Sequence, residues 1–288
     1  MPIATVLSRV LAALAGLALL GIGGTYGLSE WKLRRSHDAP LVALRPGIVT
    51  DPAAGERLAR IVGCWAGCHG PRGEGGSDQV TGMYRITAPT LAPVIQAYGD
   101  AELVRLIRYG VKRDGNSALG MPAATFWPLG EQALADIIAH LRAQPMRTAM
   151  PRERQITWRG RWSLATGELR VSADQVDRSA PRWGELPRSN AFERGRYLAS
   201  IVCSECHGRD FEGDRLQGGP SLAAIAAYSI GQFREFMRTG KPIDGREIPA
   251  MNWLPEVGFT DAESEDLYVF LRRRHGLGIE PAVGSQSP

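Results

Sequence analysis

Two cysteine clusters limit what this chain can be more than anything else among its 288 residues. All four cysteines lie in them: Cys64-Trp65-Ala66-Gly67-Cys68-His69 and Cys203-Ser204-Glu205-Cys206-His207. In each cluster a histidine directly follows the second cysteine. The surroundings repeat as well. Residues 55–62 (GERLARIV) match residues 195–202 (GRYLASIV) at an offset of 140. His69 and His207 lie 138 residues apart, and Pro89-Thr90-Leu91 and Pro220-Ser221-Leu222 lie 131 apart. From there the offset holds at 130 for Gly110 and Gly240, Met121 and Met251, and Leu141-Arg142 and Leu271-Arg272. The drift reflects small insertions in loops, so the clusters and their flanking segments read as one duplicated unit.

The second cluster is C-x-x-C-H, the pattern for covalent attachment of c-type haem. Two thiols at that spacing reach the two vinyl groups of one porphyrin, and His207 then falls where its imidazole can bind the iron. A structural zinc site needs four ligands close together, whereas each cluster offers three. A redox disulfide needs neither the following histidine nor a second copy. The first cluster carries one extra residue, C-x-x-x-C-H. Gly67 supplies the freedom for that loop to bulge, so that Cys64 and Cys68 still reach both vinyls above His69. The cofactor expectation is therefore two haem c.

Each copy opens and closes with a predicted helix. Asp51-Pro52 reads as an N-cap followed by proline at the first helical position, and Asn190 with Glu193 as a capping box. Leu58, Ile61 and Val62, like Leu198, Ile201 and Val202, form a narrow apolar stripe. The closing helices carry Leu134, Ile137, Ile138 and Leu141 in one copy, and Leu267, Phe270 and Leu271 after a Thr260/Glu263 cap in the other. Gly55 and Gly195 would let opening and closing helices cross closely.

With C-x-x-C-H-G, the later Pro-x-Leu, a Met two-thirds along each copy and a last helix ending in Leu-Arg, the sequence resembles the class I cytochrome c family. The likeness covers about residues 51–145 and 190–275. A looser likeness, from Thr166-Gly167-Glu168-Leu169 through Arg194-Gly195-Arg196-Tyr197-Leu198-Ala199 to the second cluster, is to cytochrome subunits of membrane-bound bacterial dehydrogenases. Haem iron has a sixth position for Met or His. Met121 and Met251 hold the same place in both copies, 20 residues before Leu141 and Leu271, and the resemblance implies the same assignment. The alternative is that both fill gaps in a core. Trp127 and Trp253 follow these loops and are expected near the cofactor edge. His140 is expected to pack between helices, His275 to face solvent and His37 to lie in a linker. His/Met ligation fills all six positions and raises the reduction potential, which is electron-transfer chemistry.

Residues from about Val6 to Leu28 are apolar with Arg9 as the single charge, a signal peptide or membrane anchor, read here as an uncleaved anchor. Lys32, Arg34 and Arg35 beyond it would stay cytoplasmic by the positive-inside rule. Attachment of c-type haem outside the bacterial inner membrane places the haem domains in the periplasm instead. The expected architecture is mainly α. It comprises an anchor over 1–35, a tether over 36–50, a cytochrome c domain over 51–145, a linker over 146–189, a second cytochrome c domain over 190–276 and a tail over 277–288. The linker's Trp158, Trp162 and Trp183 suggest that it lies along the domains, or docks a partner. A net charge of +4 favours acidic partners or an anionic membrane, and the dispersed basic residues do not suggest nucleic acid. The function expected is a membrane-anchored dihaem electron carrier between redox-protein donors and acceptors, not itself an enzyme. The alternatives are an electron-transfer subunit of a dehydrogenase or of a cbb3-type oxidase, and, as enzymes, a dihaem peroxidase or a thiosulfate dehydrogenase. No cysteine is left over as the axial ligand that the last would use.

Overall fold

The computed structural model describes residues 3–65, 69–80 and 82–278. The chain begins with helix α1 (Ile3–Arg34) and continues through α2 (Pro52–Ile61), strands β1 (Gly76–Val80) and β2 (Tyr84–Ala88), and helices α3 (Leu91–Ala97) and α4 (Asp100–Tyr109). A single turn, α5 (Ala123–Phe126), precedes α6 (Glu131–Arg142). Then come β3 (Arg154–Ile156), α7 (Trp158–Thr166) and the short α8 (Ser172–Gln175). The remainder is α9 (Ala191–Val202), α10 (Ser204–His207), α11 (Ile230–Thr239), α12 (Leu254–Val257) and α13 (Asp261–Arg274). The molecule is mainly helical, as expected.

Local signals set the helix ends. The Asp51 carboxylate accepts from the backbone N–H groups of Ala53 and Ala54 and starts α2. Thr260 and Glu263 form the expected capping box of α13. At α9 the Asn190 side chain caps Glu193, but the Glu193 carboxylate closes on the backbone and hydroxyl of Ser189, one residue early.

One helix pair forms the centre of each half. Helix α2 crosses α6 at Gly55, where an added Cβ would lie 2.0 Å from the Asp136 carbonyl oxygen. Helix α9 crosses α13 at Gly195, where it would lie 1.9 Å from the Asp266 carbonyl oxygen. His140 and Phe270 stand at equivalent places in these crossings. Behind them Leu134, Ile137, Ile138 and Leu141 are buried in one core, and Leu267, Phe270 and Leu271 in another. The halves also pack on each other: Tyr197, Ile201 and Val257 are buried among first-half residues.

The stretch 146–189 is folded rather than extended. Its strand β3 joins β2, which pairs with β1, in an antiparallel sheet ordered β1-β2-β3. Helix α7 lies with Gly160 against the Met83 carbonyl and Leu164 in a small core with Leu33, Met83, Tyr84, Leu169 and Val171. The motif Thr166-Gly167-Glu168-Leu169 ends this helix: Gly167 takes φ +89° as its C-cap, and Leu169 turns back into that core.

Helix α1 is long and apolar enough to cross a membrane. Its last turns belong to the fold instead. Thr25, Ser29 and Leu33 form a buried i, i+4 stripe, whereas residues up to Gly24 stand clear of the rest. The segment 36–50 is fastened at Ser36 and His37 to residues 115–116 and at Arg45 to Glu131. His275, expected in solvent, has its side chain largely covered, with Nδ1 3.5 Å from the Glu212 carboxylate.

Candidate haem-attachment site

The two motif histidines sit in matching backbone settings. His69 Nδ1 lies 2.8 Å from the Pro89 carbonyl oxygen, and His207 Nδ1 lies 2.7 Å from that of Pro220. A carbonyl can only accept, so each ring carries its proton on Nδ1 and keeps the Nε2 lone pair for a metal. The Pro-x-Leu repeat therefore has a function that its sequence does not announce, because a carbonyl's aim is set by the fold. The loop after each histidine is also duplicated. The Gly75 N–H donates to His69 O at 2.8 Å and the Gly213 N–H to His207 O at 2.9 Å. Leu91 N–H and Leu222 N–H then bond the carbonyls of Gly73 and Phe211, each at 2.8 Å. Both carbonyl-bearing residues have positive φ, +68° and +64°.

The cysteines are placed for apolar surroundings. Cys64 packs against the first core together with Met121, and Cys203 packs against the second together with Met251. Burial pushes the Cys64 and Cys203 thiols up to about 12 and Cys206 to about 11. Reactive thiolates and zinc-binding cysteines need the opposite shift. Cys68 lies outside the described residues, as do Ala66 and Gly67. Burial also holds His69 below its ordinary value, against the opposing effect of the Pro89 carbonyl. Among the described residues no three His, Cys, Asp or Glu side chains converge as a metal cluster would require. Among the described residues, each motif presents one oriented imidazole, at least one half-buried thiol against an apolar core, and a methionine on the same core. That donor set fits a covalently attached haem.

Trp127 and Trp253 part company. Trp253 touches both cores, with Met251 beside it. Trp127 lies in a separate cluster with Ala39, Tyr109 and Val111, its indole donating to the Ala180 carbonyl at 2.7 Å. Trp65, inside the first motif, is buried edge-on to His140 with ring centroids 5.5 Å apart. The second motif also touches the first half: its Ser204 lies 3.4 Å from the Thr125 hydroxyl in α5, the turn that follows Met121.

The chain is similar to a cbb3-type cytochrome c oxidase subunit. That protein, FixP of Sinorhizobium medicae (strain WSM419), is 37% identical over 87 residues. The match covers 30% of this chain and 27% of FixP, so the chain spans just over a quarter of that relative's length. No protein-family model matches. The likeness supports a c-type cytochrome with an electron-transfer role, and it agrees with the oriented imidazoles just described.

Proposed function

We propose that this chain is a membrane-anchored dihaem c-type cytochrome whose haem domains lie in the periplasm. Cys64 and Cys68 would attach one haem c, held at iron by His69 and Met121. Cys203 and Cys206 would attach the other, held by His207 and Met251. The observation that carries this reading is the repeated bond from motif imidazole to proline carbonyl, which fixes the tautomer a haem ligand needs at both places. When bound, the cofactors would supply a one-electron couple. The protein's own part is to orient the two imidazoles and hold Cys64 and Cys203 against apolar cores, and His69, Met121, His207 and Met251 would be the residues that hold the iron. The contact of Ser204 with Thr125 sets the second motif against the turn that follows Met121 in the first half.

The likeness to FixP favours one version of this function, in which the chain passes electrons as a subunit of an oxidase complex and not as a free carrier. A spectroelectrochemical titration of the full-length protein, with haem quantification, tests the core of the proposal. Two haems per chain, both low-spin and at the high potentials of His/Met sites, are expected. One haem per chain would mean that the longer first motif is unused. A high-spin, peroxide-reactive haem would replace the carrier with an enzyme. Purification from the native membrane then separates carrier from subunit, with oxidase subunits co-eluting in the second case.

A further inference from the structure

Helix α7 presents two large aromatics to the outside. Trp158 and Trp162 are 51% and 54% exposed, one turn apart on the same face, with exposed Arg159 beside them. The opposite face is tied down: Gly160 lies on the Met83 backbone and Leu164 is fully buried. Exposing two indoles on a fixed helix is costly in water, so the surface calls for an occupant.

The neighbouring helix indicates which one. Arg161 stacks 3.8 Å over the Tyr26 ring of α1 and reaches Ser29 and Glu30 at 3.0 and 3.2 Å. One turn on, the Leu164 and Ala165 carbonyls accept from Lys32 at 2.7 and 3.1 Å. Contacts thus advance along α7 as they advance along α1, which sets the Trp158 end toward the free stretch of α1. That stretch, Ile3 to Gly24, is about 33 Å long at 1.5 Å per residue, close to the thickness of a bilayer's hydrocarbon core. Tyr26 and Trp31, 52% and 55% exposed, stand on α1 just beyond it. Two tyrosine or tryptophan rings on the emerging helix and two on its rigid neighbour, with arginines among them, make the composition of a bilayer interface.

We propose that α7 is a membrane-surface element: Trp158 and Trp162 enter the lipid headgroup layer beside Tyr26 and Trp31 and fix the orientation of the folded part on the membrane. The inference rests on the reading of α1 as the anchor. Its occupant is lipid, because the aromatic surface continues that of the apolar helix itself.

The test uses full-length, haem-loaded protein in bilayers of phosphatidylethanolamine and phosphatidylglycerol, doped with a phospholipid carrying a photoreactive diazirine near its headgroup. Lipid adducts are mapped by mass spectrometry. Adducts on both α1, around 26–31, and α7, around 158–162, are expected. In the double variant Trp158→Ser/Trp162→Ser, checked for an unchanged haem spectrum, adducts on the rest of α7 should fall several-fold while those on α1 persist. Adducts on α1 alone would overturn the inference, leave the anchor standing and assign the face to a protein partner. Adducts on neither helix would overturn both. Undiminished α7 adducts in the double variant would show that the tryptophans do not anchor the helix.

Discussion

At Gly195 two opposing effects meet, and their sizes differ enough to decide an experiment. Glycine inside a helix costs about 1 kcal/mol relative to alanine, so Gly195→Ala should stabilise α9 considered alone. In the fold its new Cβ would lie 1.9 Å from the Asp266 carbonyl oxygen and 2.8 Å from the Phe270 Cβ. Backbone cannot yield as a side-chain tip does, and forcing the crossing apart costs about 1–3 kcal/mol or more. The expected outcome is net destabilisation by up to about 2 kcal/mol or more in denaturant unfolding, with Gly55→Ala behaving alike because its Cβ meets Asp136 in the same way. An increase in stability for either variant would show that the crossing is looser than described. The positive-φ position of the motif loop shows a different compromise. The first half places Gly73 there and the second Phe211, whose left-handed backbone costs about 1–2 kcal/mol. Its ring offsets this by burial against Phe270, edge-on at a centroid distance of 5.4 Å.

Among the elements, α1 and α7 hold each other through charges that the sequence left in conflict. Lys32, Arg34 and Arg35 argue by count for a cytoplasmic flank. In the fold Lys32 neutralises the carbonyl end of α7, Arg35 pairs with Asp174 and Arg34 with Glu30. All three thus have partners within the fold. Lys32→Met should loosen α7 by about 0.5–1 kcal/mol, the usual contribution of a cation at a helix C-terminus. Amide hydrogen exchange over residues 158–166 should then be a few-fold faster, with α9 and α13 unchanged; equal exchange would show that Lys32 is incidental. Which elements could be read in advance follows from where their signals lie. Helices α2, α9 and α13 carry their own caps, all four of α2, α6, α9 and α13 carry apolar stripes, and α2 and α9 carry the crossing glycines, so a single sequence is enough for them. The sheet was not legible. Residues 76–80 (GSDQV) show no apolar alternation, and β3, which completes the sheet, comes from a stretch with the composition of a linker. The same stretch was expected, from its tryptophans, to lie along the domains or to dock a partner; it does fold onto the rest, but Trp158 and Trp162 stay exposed, because in α7 the glycine and leucine face inward instead. The motif cysteines and histidines announced themselves by spacing. The carbonyls of Pro89 and Pro220 did not, since a backbone acceptor has no sequence signature.

For the molecule as a whole, the contact between halves includes one ion pair whose titration can be followed. Arg57 of α2 binds the Glu263 carboxylate at the start of α13, and its other nitrogen reaches the Gly258 carbonyl at 3.2 Å. Burial works against ionisation at Glu263, but hydrogen bonds from Arg57 and from the Thr260 backbone and hydroxyl outweigh it and hold the carboxyl below its ordinary 4.5. A carboxylate whose folded value is depressed stabilises the native state above its unfolded value, and that contribution is lost as pH falls through the folded one. Stability should therefore begin to drop below about pH 4.5 and continue downward. With Arg57 partly exposed, the pair contributes about 0.5–1 kcal/mol. Glu263→Gln separates this from helix capping, because glutamine still completes a capping box with Thr260 but cannot form the ion pair. In denaturant unfolding at pH 7, 5, 4 and 3, Glu263→Gln should be less stable than wild type at pH 7 and converge on it at pH 3, with Arg57→Ala showing the same convergence. Parallel pH curves would mean that the Arg57–Glu263 ion pair contributes nothing to the contact between the halves, which would then rest on the apolar contacts of Tyr197, Ile201 and Val257 and on the hydrogen bonds that do not titrate.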